Sequence, residues 1–168
     1  MANTYTLIQS VTVGSGGAAS IEFGSIPQTY TDLLIKLSLR STTAVTNRTF
    51  YLNPNGSSAN GTSRILIGNG ASASSQTDTR ITGRDIPGTS ATSSVFGNAE
   101  FYIPNYRSSV AKSISVDAVM ENNATTAVSG ITANLWNVTD AITTLTFVPE
   151  LGDFAQYSSA SLYGIKNS

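Results

Sequence analysis

Histidine and cysteine are both absent from this chain of 168 residues. The first absence removes the commonest general base and the commonest metal ligand. It rules out a Ser-His-Asp or Cys-His catalytic arrangement and any zinc site that uses histidine. The second absence removes disulfides and thiolate metal sites. Stability therefore comes from packing and backbone hydrogen bonds. Charge is scarce as well: 11% of residues are ionisable Asp, Glu, Lys or Arg, and the net charge is -1. No basic run exists to neutralise phosphates or to grip an anionic bilayer, so neither nucleic acid nor a membrane is expected as a partner. No apolar run approaches the ~20 residues that a membrane-spanning helix needs. The opening Met1-Ala2-Asn3-Thr4-Tyr5 lacks a basic region followed by an apolar stretch, so no secretory signal is expected. Helix formers are few, with four Glu and three Lys in the whole chain.

Serine and threonine fill the gap, making up more than a quarter of the residues. Their hydroxyls hydrogen-bond without the desolvation penalty of ions, which suits exposed strand faces and protein contacts. Apolar residues recur with a period of two, the spacing of a half-buried strand. Tyr5, Leu7, Val11 and Val13 share one phase, as do Ala19, Ile21 and Phe23. Leu33, Ile35, Leu37 and Leu39 alternate with Lys36, Ser38 and Arg40 in the clearest strand. Ala99, Phe101 and Ile103 form another set, and Ile114, Val116, Ala118 and Met120 a further one. Ile131, Ala133 and Leu135 alternate with Thr132 and Asn134. Arg64 to Ile67, Ile142 to Val148 and Ser161 to Ile165 complete the strand candidates. Short strands separated by Gly, Asn, Pro and Ser clusters predict an all-β, antiparallel β-sandwich, one domain over residues 1–168.

Between Asn53 and Thr79 the sequence reads as long loops apart from Arg64 to Ile67, with tight turns at Asn55-Gly56, Asn60-Gly61 and Asn69-Gly70. Ala71 to Gln76 and Gly88 to Ser94 are small, low-complexity stretches of the same kind. Gly14-Ser15-Gly16-Gly17 precedes a strand rather than a helix, so it reads as a hairpin turn and not a phosphate cradle. Gly83-Arg84-Asp85 reads as a loop tripeptide. Asn-x-Ser/Thr triplets begin at Asn47, Asn55, Asn60, Asn123 and Asn137, as chance supplies in a chain of this composition. Glu22, Glu100 and Asp117 sit on the polar phase of strands. Glu150 and Asp153 flank a loop and offer oxygens, but no calcium-loop pattern accompanies them. No catalytic set and no cofactor are expected. With Ile131, Ala133 and Leu135 inward, Trp136 faces outward to an interface or ligand; a bulge that reversed the phase would bury it. Tyr102 and Tyr106 are polar-phase or loop aromatics of the kind interfaces favour.

The segment from Ser25 to Lys36, SIPQTYTDLLIK, resembles one in small virion proteins of tailed bacteriophages. So does the stretch Ser159-Ala160-Ser161-Leu162-Tyr163-Gly164-Ile165, and Asn134-Leu135-Trp136 with the Thr-rich strand to Phe147 is similar to their second half. The likeness covers about half of the chain. It implies a jelly roll, in a capsid decoration (cement) protein or in a tail- or head-fibre module, often trimeric. A first strand beginning near residue 4 leaves no room for a fibre shaft, which favours decoration, with the major capsid protein as partner and the virion as location. The alternative is a receptor-recognition module that binds a host surface glycan through its loops.

Overall fold

Strands form wherever the period-two pattern meets β-branched or aromatic residues, and the Asn-Gly and Ser-rich clusters break them apart. A computed structural model of the protein describes residues 4–121 and 127–166. Met1 to Asn3 and the triplet at Asn123 lie outside the described residues. In chain order the strands are Tyr5–Thr12 (β1), Ile21–Phe23 (β2), Asp32–Leu39 (β3), Asn47–Pro54 (β4), Gly61–Gly68 (β5) and Ala73–Asp78 (β6). They continue as Ile81–Pro87 (β7), Gly97–Ile103 (β8), Lys112–Glu121 (β9), Ala127–Trp136 (β10), Leu145–Pro149 (β11) and Ser159–Ile165 (β12).

Two antiparallel sheets result, β1-β12-β3-β8-β9-β10-β5-β6 and β2-β11-β4-β7. The block β1-β12-β3-β8 over β2-β11-β4-β7 has the interleaved strand order of a jelly roll. The hairpins β5–β6 and β9–β10 are insertions into it. They pair with each other through β10 and β5 and widen the first sheet into a wing. Strand β7 of the small sheet packs against β9, β10 and β5, so it supports the wing from below.

The core lies between the sheets. Phe23, Phe50, Phe101, Phe147 and Phe154 are all completely buried. Phe101 on β8 meets Phe147 on β11 edge-on with ring centres 5.3 Å apart, and Phe50 joins both. Burial of each ring contributes about 1.5–3 kcal/mol. A bulge in β7 adjusts this packing: Phe50 pairs with Arg84 and Tyr51 with Thr82, leaving Gly83 without an opposite number. Arg84 takes a φ of 69° and turns inward, where its Nη2 meets the Asp85 carboxylate at 2.6 Å.

Several sequence expectations need correction. Strand β4 and strand β7 had no clear alternating signal, and Gly83-Arg84-Asp85 is part of β7 rather than a loop. Ala71 to Gln76 enters the edge strand β6. Gly14 to Gly17 does make a tight turn, Gly17 N–H to Gly14 carbonyl at 3.3 Å, yet it joins β1 and β2 in different sheets and closes no hairpin. The Asn-Gly pairs supply positive φ as the sequence suggested, at Asn55, Gly56, Asn60 and Gly70. A register shift between Leu7 and Gln9 changes the phase of β1, so Tyr5 and Leu7 face out while Val13 is buried.

The crossing from β7 to β8 is tied down by one side chain. Arg40 donates to the carbonyls of Ala91, Thr92 and Val95 at 3.2, 2.8 and 2.7 Å. Arg40→Met keeps the aliphatic stem and deletes these bonds, so stability should drop by about 1.5–3 kcal/mol. Limited elastase digestion should then cut near Ala91 or Val95 in the variant and spare the parent; equal cutting rates would refute this role for Arg40.

Candidate functional site

Outward residues of the large sheet come into register as rows that cross every strand. One row runs Ser10, Ser161, Lys36, Glu100, Asp117, Ile131, Leu66 and Ser75. The next runs Leu7, Tyr163, Leu34, Tyr102, Ser115, Ala133, Arg64 and Thr77. Of these outward residues the tyrosines lie over the jelly-roll half and the exposed Ile131 and Leu66 over the wing, with charged residues on both.

On the wing, Ile131 is 62% and Leu66 57% exposed, and Val119 and Leu135 also face solvent. Ile131, Leu66 and Ala133 line an open hollow of about 580 Å³ with Arg64, Ser75, Gln76 and Thr77 around it. Beside it runs β6, paired among the described residues with β5 alone and exposed along nearly its whole length. Its sequence ASSQTD has no Pro, no Lys and no bulge, the usual devices that blunt a sheet edge.

On the jelly-roll half, Tyr5, Leu34, Lys36, Glu100 and Tyr163 line an open hollow of about 280 Å³. Lys36 and Glu100 form an ion pair across β3 and β8, and this hydrogen bond holds the Lys36 ammonium above its ordinary pKa. Tyr102 donates its hydroxyl to Asp32 at 2.9 Å. That bond, together with some burial, raises the phenol's pKa.

Two of the three aromatic residues singled out as interface candidates do not reach the surface. Trp136 is 2% exposed, because the whole of β10 has the opposite phase: Thr132, Asn134 and Trp136 point inward while Ile131, Ala133 and Leu135 point out. No bulge is involved, since β10 keeps continuous register with both neighbours. Of the inward polar groups Asn134 is satisfied, whereas Thr132 Oγ1 and Trp136 Nε1 are buried without a hydrogen-bond partner among the described residues. The Asn134 carboxamide oxygen accepts from the Ser63 hydroxyl and from Thr82 N–H at 3.1 Å, linking the wing to β7. Trp136 lies between Lys112 and Gly61 on the adjoining strands, with the Lys112 ammonium 5.4 Å from the ring centre. Tyr106 is fully buried and donates its hydroxyl to the Pro27 carbonyl, and burial raises its pKa. Of the three, Tyr102 alone keeps an exposed ring. Neither Leu66 nor Ile131 could be read as a surface residue, because an apolar residue in an alternating strand signals the core first.

The carboxylates are spread out. Asp32 accepts from Tyr102 and from the Asn105 amide, Glu150 pairs with Arg48 at 3.1 Å, and Asp85 pairs with Arg84. Glu100 and Asp117 are cross-strand neighbours on the open face. Among the described residues no group of three or more acidic side chains converges as a metal site would require. Asn55, in one of the Asn-x-Ser/Thr triplets, uses its carboxamide to hold Thr143 N–H at 2.9 Å and the Ala141 carbonyl at 2.9 Å. No family model, no curated protein and no solved structure matches this chain.

Proposed function

We propose that the chain is a structural protein of a phage virion, a decoration protein that attaches to the major capsid protein through the outer face of its wing. The observation that carries this reading is the exposed Ile131–Leu66 patch, bordered by hydroxyls and amides with Arg64 and Asp117 at its margin. An apolar centre with a polar rim is the anatomy of a protein interface. Hydroxyl-rich surroundings keep the salt dependence of attachment weak. A stable contact buries about 1,200–2,000 Å² in total. A trimer of such modules multiplies the attachment and needs no stronger single contact.

The test is co-sedimentation with capsids stripped of the protein. Ile131→Lys should leave the melting temperature within a few degrees of the parent, because the side chain is exposed and the new ammonium faces Asp117 across the strand, and should weaken capsid binding about tenfold or more. Failure of the parent protein to bind, or undiminished binding by Ile131→Lys, refutes attachment through the wing.

A further inference from the structure

The hollow on the jelly-roll half differs in chemistry from the wing. Its floor is Leu34, and its sides are the rings of Tyr5 and Tyr163 and the Lys36–Glu100 pair. The two rings come from adjacent strands, Tyr163 lying directly opposite Leu7 and Tyr5 two residues further along β1. Tyr5 is largely exposed, so core packing does not account for it. Lys36 and Glu100 are likewise open to solvent, with side chains 58% and 41% exposed.

From this we infer that the hollow is a subsite for a neutral pyranose sugar, held by Tyr5, Tyr163, Lys36 and Glu100. Aromatic faces carry negative charge density and attract the positively polarised C–H edge of an apolar surface. One face of a pyranose ring presents such C–H groups, while its rim carries hydroxyls. Lys36 spends one of its three N–H donors on Glu100, and Glu100 keeps lone pairs free. The pair therefore offers donors and acceptors side by side, which matches hydroxyls that do both. Because Lys36 neutralises Glu100, the hollow has no net charge to reward an ionic ligand. At about 280 Å³ it lies near the lower end of small-ligand pockets, room for one ring rather than a long chain. Strands β12, β3 and β8 are bonded on both sides, so recognition on this face runs through side chains, with Tyr5 contributed by the edge strand β1. The site lies on the sheet face, not on the loops. The inference does not depend on capsid attachment, since none of its residues belongs to the wing patch.

The experiment is an NMR titration of the isotope-labelled protein with glucose, galactose, mannose and N-acetylglucosamine into the millimolar range. Glucosamine and N-acetylneuraminic acid serve as charged comparators. At least one neutral sugar should shift the resonances of Tyr5, Leu34, Lys36, Glu100 and Tyr163 and leave Ile131 and Leu66 unmoved. Tyr163→Ala should weaken that binding about tenfold. If Tyr163→Ala does not fold, Tyr5→Ala on the edge strand takes its place. No response to any neutral sugar, a response located elsewhere, tighter binding of a charged sugar, or full affinity in a folded tyrosine variant would each overturn the inference.

Discussion

Gly83→Ala should destabilise the protein by about 2–3 kcal/mol, a large share of a domain's total stability. A β-carbon at this position would collide with the Phe50 ring and come within 2.8 Å of Phe101 Cζ. Both rings belong to the buried aromatic cluster, and neither can retreat without disturbing Phe147. The bulge gives the backbone no slack, because the next residue, Arg84, already sits at positive φ and is held by Asp85. Urea denaturation of the variant should show a lower midpoint with an unchanged slope. In a double-mutant cycle, Phe50→Leu should absorb part of the loss, since the smaller side chain makes room. A change under about 0.5 kcal/mol would mean that the sheets separate at this point more easily than the packing suggests.

Lys112→Ala should cost about 3–5 kcal/mol. The ammonium is buried at the start of β9, donates to the Ser108 carbonyl at 2.8 Å and to the Asp140 carbonyl, and lies over Trp136. Truncation strands two carbonyls and opens space beside the indole. Lys112→Met restores the stem but not the donors, so it should recover about half of the loss. Burial lowers the Lys112 pKa. The folded state therefore releases this proton before the unfolded chain does, and the lysine's contribution grows as pH rises from its lowered value toward the ordinary lysine value. Burial raises the Tyr51 and Tyr106 pKa values, which acts in the opposite sense once the unfolded tyrosines ionise near pH 10. Melting temperatures across the alkaline range, parent against Lys112→Met, isolate the lysine: the difference between them should widen with pH below about 10. A constant difference would show that burial does not lower the lysine's pKa in the folded state.

Much of the architecture is legible in the alternation of single strands. Strands β3, β8 and β9 read correctly, face and phase, because one side of each packs on the jelly-roll core and the other meets water. Strand β10 alternates just as cleanly and reads backwards. Its inward Asn134 is acceptable because Ser63 and Thr82 satisfy it, and its outward Ile131 lies exposed on the open face of the sheet. Periodicity reports that two faces differ, and only the neighbours decide which one is inside. Strand β6 escaped detection for a related reason: it covers no core, so its sequence carries no apolar phase at all. Both hollows on the large face assemble residues from strands far apart in the chain. Tyr5 meets Tyr163, and Leu66 meets Ile131, through register that no local pattern encodes.

The place of β12 in the sheet also governs how the protein emerges from the ribosome. It lies between β1 and β3, and among the described residues β1 has no other strand partner. About 120 residues separate β3 from β12, which amounts to about 6–24 s of synthesis at 5–20 residues per second. Throughout that interval one edge of β3 stays open, with Leu33, Leu34, Ile35 and Leu37 in a run that other nascent chains can pair with. Lys36 interrupts that run at its middle, where a charge most hinders edge-to-edge growth. The lysine that later joins Glu100 on the finished surface is thus, during translation, a guard against misassociation.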